Sequence, residues 1–175
     1  QSLIDAAVKQ GVKKIIYLST AHVYSNNLTG VIAEDMLATN DHPYATSHTI
    51  GEEAVLSAAS QGNTDGVVVR IANTFGRPAS IDVNCWMLLV NDLCRQAVVE
   101  KSLKLRGDGE AVRDYVTIDD FCFAIEFLIE DESAGGNIVN IGSGESCTVG
   151  DMANRIQKNC LDVLGLDLPI AFKRE

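Results

Sequence analysis

This chain is short of positive charge. Its 14 lysines and arginines stand against 24 aspartates and glutamates, for a net charge of −10. That balance argues against a nucleic-acid partner, and against a generally basic surface for anionic membranes. It leaves room for a local basic pocket. No apolar run approaches the ~20 residues that a membrane-spanning helix needs. The five cysteines, Cys85, Cys94, Cys122, Cys147 and Cys160, are odd in number and lack metal-type pairing. They read as buried free thiols of a reducing compartment, so no metal and no disulfide scaffold is expected. The opening residues carry no signal-peptide pattern, and the expected location is cytoplasmic. The sequence also lacks internal repeats, low-complexity tracts and domain linkers.

What is present suits a folded core. Hydrophobic residues make up 46% of 175, and one domain is the prior for that length. Helical and strand patterns alternate, which favours an α/β class with a parallel sheet. Residues 2–10 read as a helix stopped by Gly11, 14–18 as a buried strand, and 25–42 as a polar surface loop. A helix over 44–60 is entered after Pro43 and ends near Gly62. Residues 66–72, with Val67-Val68-Val69, read as a second buried strand. A helix is expected over 85–99, with Trp86, Leu89, Val90 and Leu93 on its apolar face. A short strand over 103–106 precedes a Gly107-Asp108-Gly109 turn. Asp119 or Asp120 is expected to cap a helix through Ile129, and 138–141 to form another strand. Thr148 with Asp151 resembles a capping box, and Gly165 closes that last helix before a final strand-like run.

The chemistry gathers around two stretches. Ser19-Thr20-Ala21-His22-Val23-Tyr24 follows the apolar run Ile15-Ile16-Tyr17-Leu18, so it marks a strand end that opens into a site. Tyr44 and His48 stand four apart at a helix start and share one face. A hydroxyl at a strand end, with a phenol and a titratable nitrogen on a nearby helix, can move a proton on or off a sugar hydroxyl.

These residues resemble the extended short-chain dehydrogenase/reductase family, the NAD-dependent sugar-nucleotide epimerases and dehydratases. The similarity lies in Ser19-Thr20-Ala21-His22-Val23-Tyr24-Ser25, Tyr44 to His48, and Arg70-Ile71-Ala72-Asn73 followed by Gly76. It continues through Arg113-Asp114-Tyr115-Val116-Thr117-Ile118-Asp119-Asp120 and Asn140-Ile141-Gly142-Ser143-Gly144. The blocks keep the family order over nearly the whole chain. Two residues depart from it: His48 replaces the lysine of Tyr-x-x-x-Lys, and Ser25 replaces a glycine.

The resemblance implies the later part of a doubly wound Rossmann-like parallel sheet plus much of a small substrate-binding region. Residues up to about 75 would carry the catalytic side, and 76–175 mostly the substrate side with returning strands. It implies Tyr44 as catalytic acid/base, Thr20 as the group that orients the substrate oxygen, and His48 as partner of Tyr44. Ser19, Tyr44 and His48 would contact NAD or NADP. His22, Asn73 and Arg113 would contact a nucleotide-sugar substrate, Arg77 and Arg106 being weaker phosphate candidates. A free tyrosine titrates near ~10 and needs a nearby cation to act near neutrality, and an imidazole supplies that charge less steadily than a lysine. In dTDP-glucose dehydratases an Asp-Glu pair follows the threonine; Ala21 and His22 stand there and disfavour that elimination. The Gly142-Ser143-Gly144 turn lacks a third glycine and reads as a plain connection.

The family's opening glycine-rich turn, which cradles the dinucleotide pyrophosphate, is not in this sequence. The chain is therefore expected to be part of a longer protein or a truncated product, inactive alone. The expected activity of the complete protein is that of an NAD(P)-dependent nucleotide-sugar epimerase or a closely related oxidoreductase. A catalytically silent binding or scaffold protein and a keto-sugar reductase stay open as alternatives. A homodimer is expected.

Overall fold

The structure, a computed structural model, describes residues 2–25 and 28–173, without the side chains of Ser2 and Lys173. Asn26 and Asn27 of the expected 25–42 loop lie outside the described residues. In chain order the elements are α1 (Ser2–Lys9), β1 (Lys14–Thr20), a 3-10 turn (Ala21–Val23), α2 (Pro43–Ser60), β2 (Asp65–Ile71), β3 (Asn73–Phe75) and α3 (Leu89–Val99). Then come β4 (Leu103–Arg106), β5 (Val112–Thr117), α4 (Ile118–Glu130), β6 (Ile138–Ile141), β7 (Ser146–Thr148), α5 (Val149–Leu164) and β8 (Ile170–Lys173). The class is α/β with parallel sheets, as the alternation of patterns predicts. Two compact units divide the chain: residues 1–72 with 121–141, and residues 73–120 with 142–175.

The first unit is built on a parallel sheet of order β1-β2-β6. Its central strand carries Val67, Val68 and Val69, all fully buried, as a parallel strand covered on both faces requires. On one side Val67 and Val69 pack with Leu128 and Ala134, joined by Phe121 and Ile125 of α4. Lys14 fixes the far end of α4: its ammonium donates to the carbonyls of Leu128, Ile129 and Asp131 at 2.9, 3.2 and 2.6 Å. Those are orphan acceptors at a helix C-terminus, where a cation is also favoured by the helix dipole.

The second unit has its own core, centred on Leu93, Ala97, Leu103, Leu105, Tyr115, Ala153 and Leu168. β3 pairs parallel with β5, β5 antiparallel with β7, and β4 parallel with β8. Buried Gln96 ties α3 to β4, its carbonyl accepting from Lys104 N–H at 2.7 Å and its amide donating to Asp92 at 2.7 Å. At α5 the capping box is complete, and Gly165 closes the helix in the left-handed region at φ 64°.

Three sequence expectations are corrected here. All five cysteines are free thiols, but only Cys85 is buried; Cys147 and Cys160 are half-buried, and Cys94 and Cys122 are exposed. The helix expected over 85–99 begins at Leu89, and Trp86 lies before it and is 43% exposed. Apolar residues at 85–88 fit the helical period without helical backbone. The cap of α4 is Thr117, whose hydroxyl accepts from Asp120 N–H at 3.1 Å and donates to the Asp120 carboxylate at 2.7 Å. Asp119 and Asp120 instead occupy the first turn, where their charge suits the helix dipole. The Gly142-Ser143-Gly144 turn is tied down by Asp114, which accepts from Ser143 N–H at 2.8 Å and Gly144 N–H at 2.9 Å.

Candidate active site

In the first unit, the C-terminal end of β1 and the start of α2 bring the sequence-selected side chains together. His42 caps α2, its Nδ1 accepting from Tyr44 N–H at 3.2 Å, and Pro43 supplies the first turn. Tyr44 then stands half-exposed, at 51%. The His48 imidazole meets it edge-on, with ring centroids 4.7 Å apart and planes at 66°. His22, exposed on the turn after β1, also meets Tyr44 edge-on, ring centroids 6.4 Å apart. His48 Nδ1 is buried with no hydrogen-bond partner among the described residues.

Thr20 and Ser19 close the strand and are both buried. The Thr20 hydroxyl oxygen accepts from His22 N–H at 3.2 Å, which starts the 3-10 turn, and among the described residues its own hydrogen has no acceptor. Ser19 donates its hydroxyl to the Glu52 carboxylate at 2.5 Å.

That contact belongs to a polar group that sequence reasoning did not pick out. Ser19, Arg70 and Asn140 are register partners across β1, β2 and β6, so they form one row across the sheet. Glu52 of α2 covers the row and takes Arg70 in a two-pronged ion pair, Nε to Oε1 at 3.0 Å and Nη2 to Oε2 at 2.7 Å. The Arg70 guanidinium lies 4.5 Å from the Tyr24 ring centre. Tyr24 in turn donates to Asn140 Oδ1 at 2.7 Å. Asn140 reaches the loop, donating to the Ile32 carbonyl at 3.2 Å and to Glu34 at 2.9 Å. Burial works against the Arg70 charge, but the Glu52 hydrogen bonds and charge outweigh it, and its pKa rises above the ordinary arginine value. A signal was present in the sequence: an arginine inside the valine run of β2 requires a buried acceptor, and Glu52 follows His48 by one helical repeat of four.

Asn73 and Arg113 belong to the second unit. The Asn73 amide donates to the Asp114 carbonyl at 3.1 Å, and Arg113 Nη1 to the Val112 carbonyl at 3.2 Å. Asp114, the neighbouring acid, is engaged by the 142–144 turn, and among the described residues no ion pair joins it to Arg113. No group of histidine, cysteine or acidic side chains among the described residues is arranged to hold a metal.

A family model, NAD dependent epimerase/dehydratase family, matches residues 1–142. The chain is 28% identical over 166 residues to the dTDP-glucose 4,6-dehydratase of Streptomyces antibioticus, covering 95% of this chain and 47% of that one. Among solved structures it superposes on the Bacillus anthracis dTDP-glucose 4,6-dehydratase in complex with NAD, at a TM-score of 0.80 and 24% identity. That match covers 99% of this chain and 54% of the other. The Bacillus cereus UDP-glucuronic acid 4-epimerase, in complex with UDP-glucuronic acid and NAD, matches at a TM-score of 0.81 and 24% identity, covering 99% of this chain and 52% of that one. These two likenesses are of fold, and they are Rossmann-like. The chain spans about half the length of the curated relatives it matches. With the family model covering most of the sequence, the chain belongs to the NAD-dependent epimerase/dehydratase family.

Proposed function

We propose that this chain carries the catalytic side of an NAD(P)-dependent epimerase, or a closely related oxidoreductase, acting on a nucleotide-activated sugar. The observation that carries the reading is the half-exposed Tyr44 phenol with the His48 imidazole 4.7 Å away, beside the strand end that bears Thr20. In this reading Tyr44 Oη takes the proton of a sugar hydroxyl and returns it. Thr20 donates its free hydroxyl hydrogen to the same sugar oxygen and orients it. His48 in its protonated form lowers the cost of the Tyr44 phenolate. A bound nicotinamide would supply the hydride acceptor and donor that alcohol oxidation needs.

The residues present fit one end of such a cofactor. The half-buried His48 ring and the half-exposed Tyr44 phenol, side by side on one helix face, suit a ribose hydroxyl. Ser19, with its hydroxyl committed to Glu52, contributes by fixing the strand end on that side. The pyrophosphate would need a glycine-rich turn, which these 175 residues do not contain, and turnover is proposed for the complete protein. In the second unit we propose Arg113, which makes no ion pair with Asp114 among the described residues, and Asn73 as nucleotide-sugar contacts; in the first unit we propose His22.

Overall identity points to a dehydratase relative, while the side chains point away from that elimination. Half-buried Ala21 and exposed His22 follow Thr20, and neither is a carboxylate. Glu52, near the site, is locked to Arg70 and Ser19. One observation favours a catalytically silent binding protein instead: an imidazole stands where the family keeps a permanent cation. We further propose a cytoplasmic homodimer; among the described residues no helix is long and apolar enough to cross a membrane, and Leu3 and Ile50 are exposed on α1 and α2. The test is turnover of UDP- and dTDP-linked hexoses by the complete protein and its Tyr44→Phe variant. Near-complete loss of turnover with retained sugar-nucleotide binding is expected. Full activity of the variant would remove Tyr44 from the mechanism, and tight cofactor binding without turnover in the unmodified protein would establish the silent reading.

A further inference from the structure

The face of α2 that bears Tyr44 and His48 continues through Gly51 to Val55, at helical spacings of four, three and four. Gly51 leaves a notch in that face. A Cβ at position 51 would stand 2.2 Å from Tyr17 Oη and 2.3 Å from Tyr17 Cζ. The tip of the Tyr17 phenol, reaching over from β1, therefore fills the space of the missing side chain. From that seat the Tyr17 ring lies 6.2 Å from the His48 ring, with planes at 53°. His48 is thus flanked by two phenols, Tyr17 on one side and Tyr44 on the other.

We propose that Tyr17 is a positioning residue: its phenol, seated in the Gly51 notch, holds the His48 imidazole against Tyr44. The inference rests on the reading that His48 partners Tyr44. A functional imidazole is commonly oriented by a hydrogen bond to its second nitrogen. Here Nδ1 is buried and has none, so packing must set the ring's orientation. Tyr17 suits that work because it stays neutral: burial first, then the charges of Glu52 and Tyr44, raise its pKa above the ordinary tyrosine value. A neutral ring adds shape without competing for the charge that His48 would offer Tyr44.

The experiment is proton NMR of the isotope-labelled 175-residue chain, reading nuclear Overhauser contacts among the rings of Tyr17, Tyr44 and His48 and the Gly51 α-protons. The unmodified chain should show the Tyr17–Gly51 and His48–Tyr44 contacts. Tyr17→Phe keeps the ring and should keep the His48–Tyr44 contact; Tyr17→Ala and Gly51→Ala should lose it while retaining the backbone spectrum of a folded chain. Absence of the Tyr17–Gly51 contact in the unmodified chain would overturn the proposal, even if neither alanine variant folds. So would a folded Tyr17→Ala chain that keeps the His48–Tyr44 contact. These readouts need no turnover. An active Tyr44→Phe enzyme would sink the catalytic reading and leave the positioning result standing, and the converse also holds.

Discussion

Glu52 and Arg70 form an ion pair at 2.7 Å with only 5% of either side chain exposed. A buried pair of this kind is costly to assemble and more costly to halve, because the survivor is left charged and unpaired. Glu52→Gln should lower the unfolding free energy by about 3 kcal/mol in chemical denaturation. The double variant Glu52→Leu/Arg70→Met should lose less than the sum of the two single changes. A strictly additive double variant would show that the two side chains are not energetically coupled.

Tyr115 makes the opposite prediction. Its hydroxyl is buried and without a hydrogen-bond partner among the described residues, and burial pushes its pKa up to about 12. Removing an unsatisfied buried hydroxyl while keeping the ring should stabilise, so Tyr115→Phe is expected to gain about 1 kcal/mol. The sign with pH follows from the raised value. The neutral phenol's share of stability is intact below the ordinary value of 10.0 and is lost as pH rises toward about 12. Thermal melts across that alkaline window should show the loss in the parent chain and a flatter profile in the variant. Equal slopes would place Tyr115 outside the alkaline transition.

At α5 the sign reverses. The Thr148 hydroxyl and N–H hold the Asp151 carboxyl below the ordinary carboxylate range. Its contribution is present above the unfolded-state pKa and fades as pH falls through the lowered folded value. Asp151→Asn should therefore destabilise at neutral pH and converge with the parent chain in acid. A difference that persists unchanged at low pH would assign the effect to something other than this charge.

His48→Lys restores the cation type that the family motif carries at this position. An ammonium keeps its charge up to ~10, whereas an imidazole titrates near neutrality. In the complete protein the lysine variant should turn over faster and extend activity to higher pH, as read from a pH–rate profile. An unchanged profile would show that His48 does not stand in for the lysine.

The order of the helices α1 to α5, the capping box at Thr148 and the closing Gly165 are legible in the sequence, since periodicity and caps are local properties. So is the contact of Tyr44 with His48, because a spacing of four puts both on one helix face. Local pattern failed at residues 85–88, where apolar spacing fits a helix that backbone geometry does not form. It was also silent on β3, β5 and β7, which are strands through their pairing more than through their composition. Tertiary structure alone decided which charges are buried together. Arg70 and Glu52 lie 18 positions apart, and Tyr24 and Asn140 lie 116 apart. Only sheet register and the docking of α2 bring such groups within hydrogen-bond reach. The seat of Tyr17 over Gly51 has the same origin: a missing side chain says that space exists, and the fold determines which ring fills it.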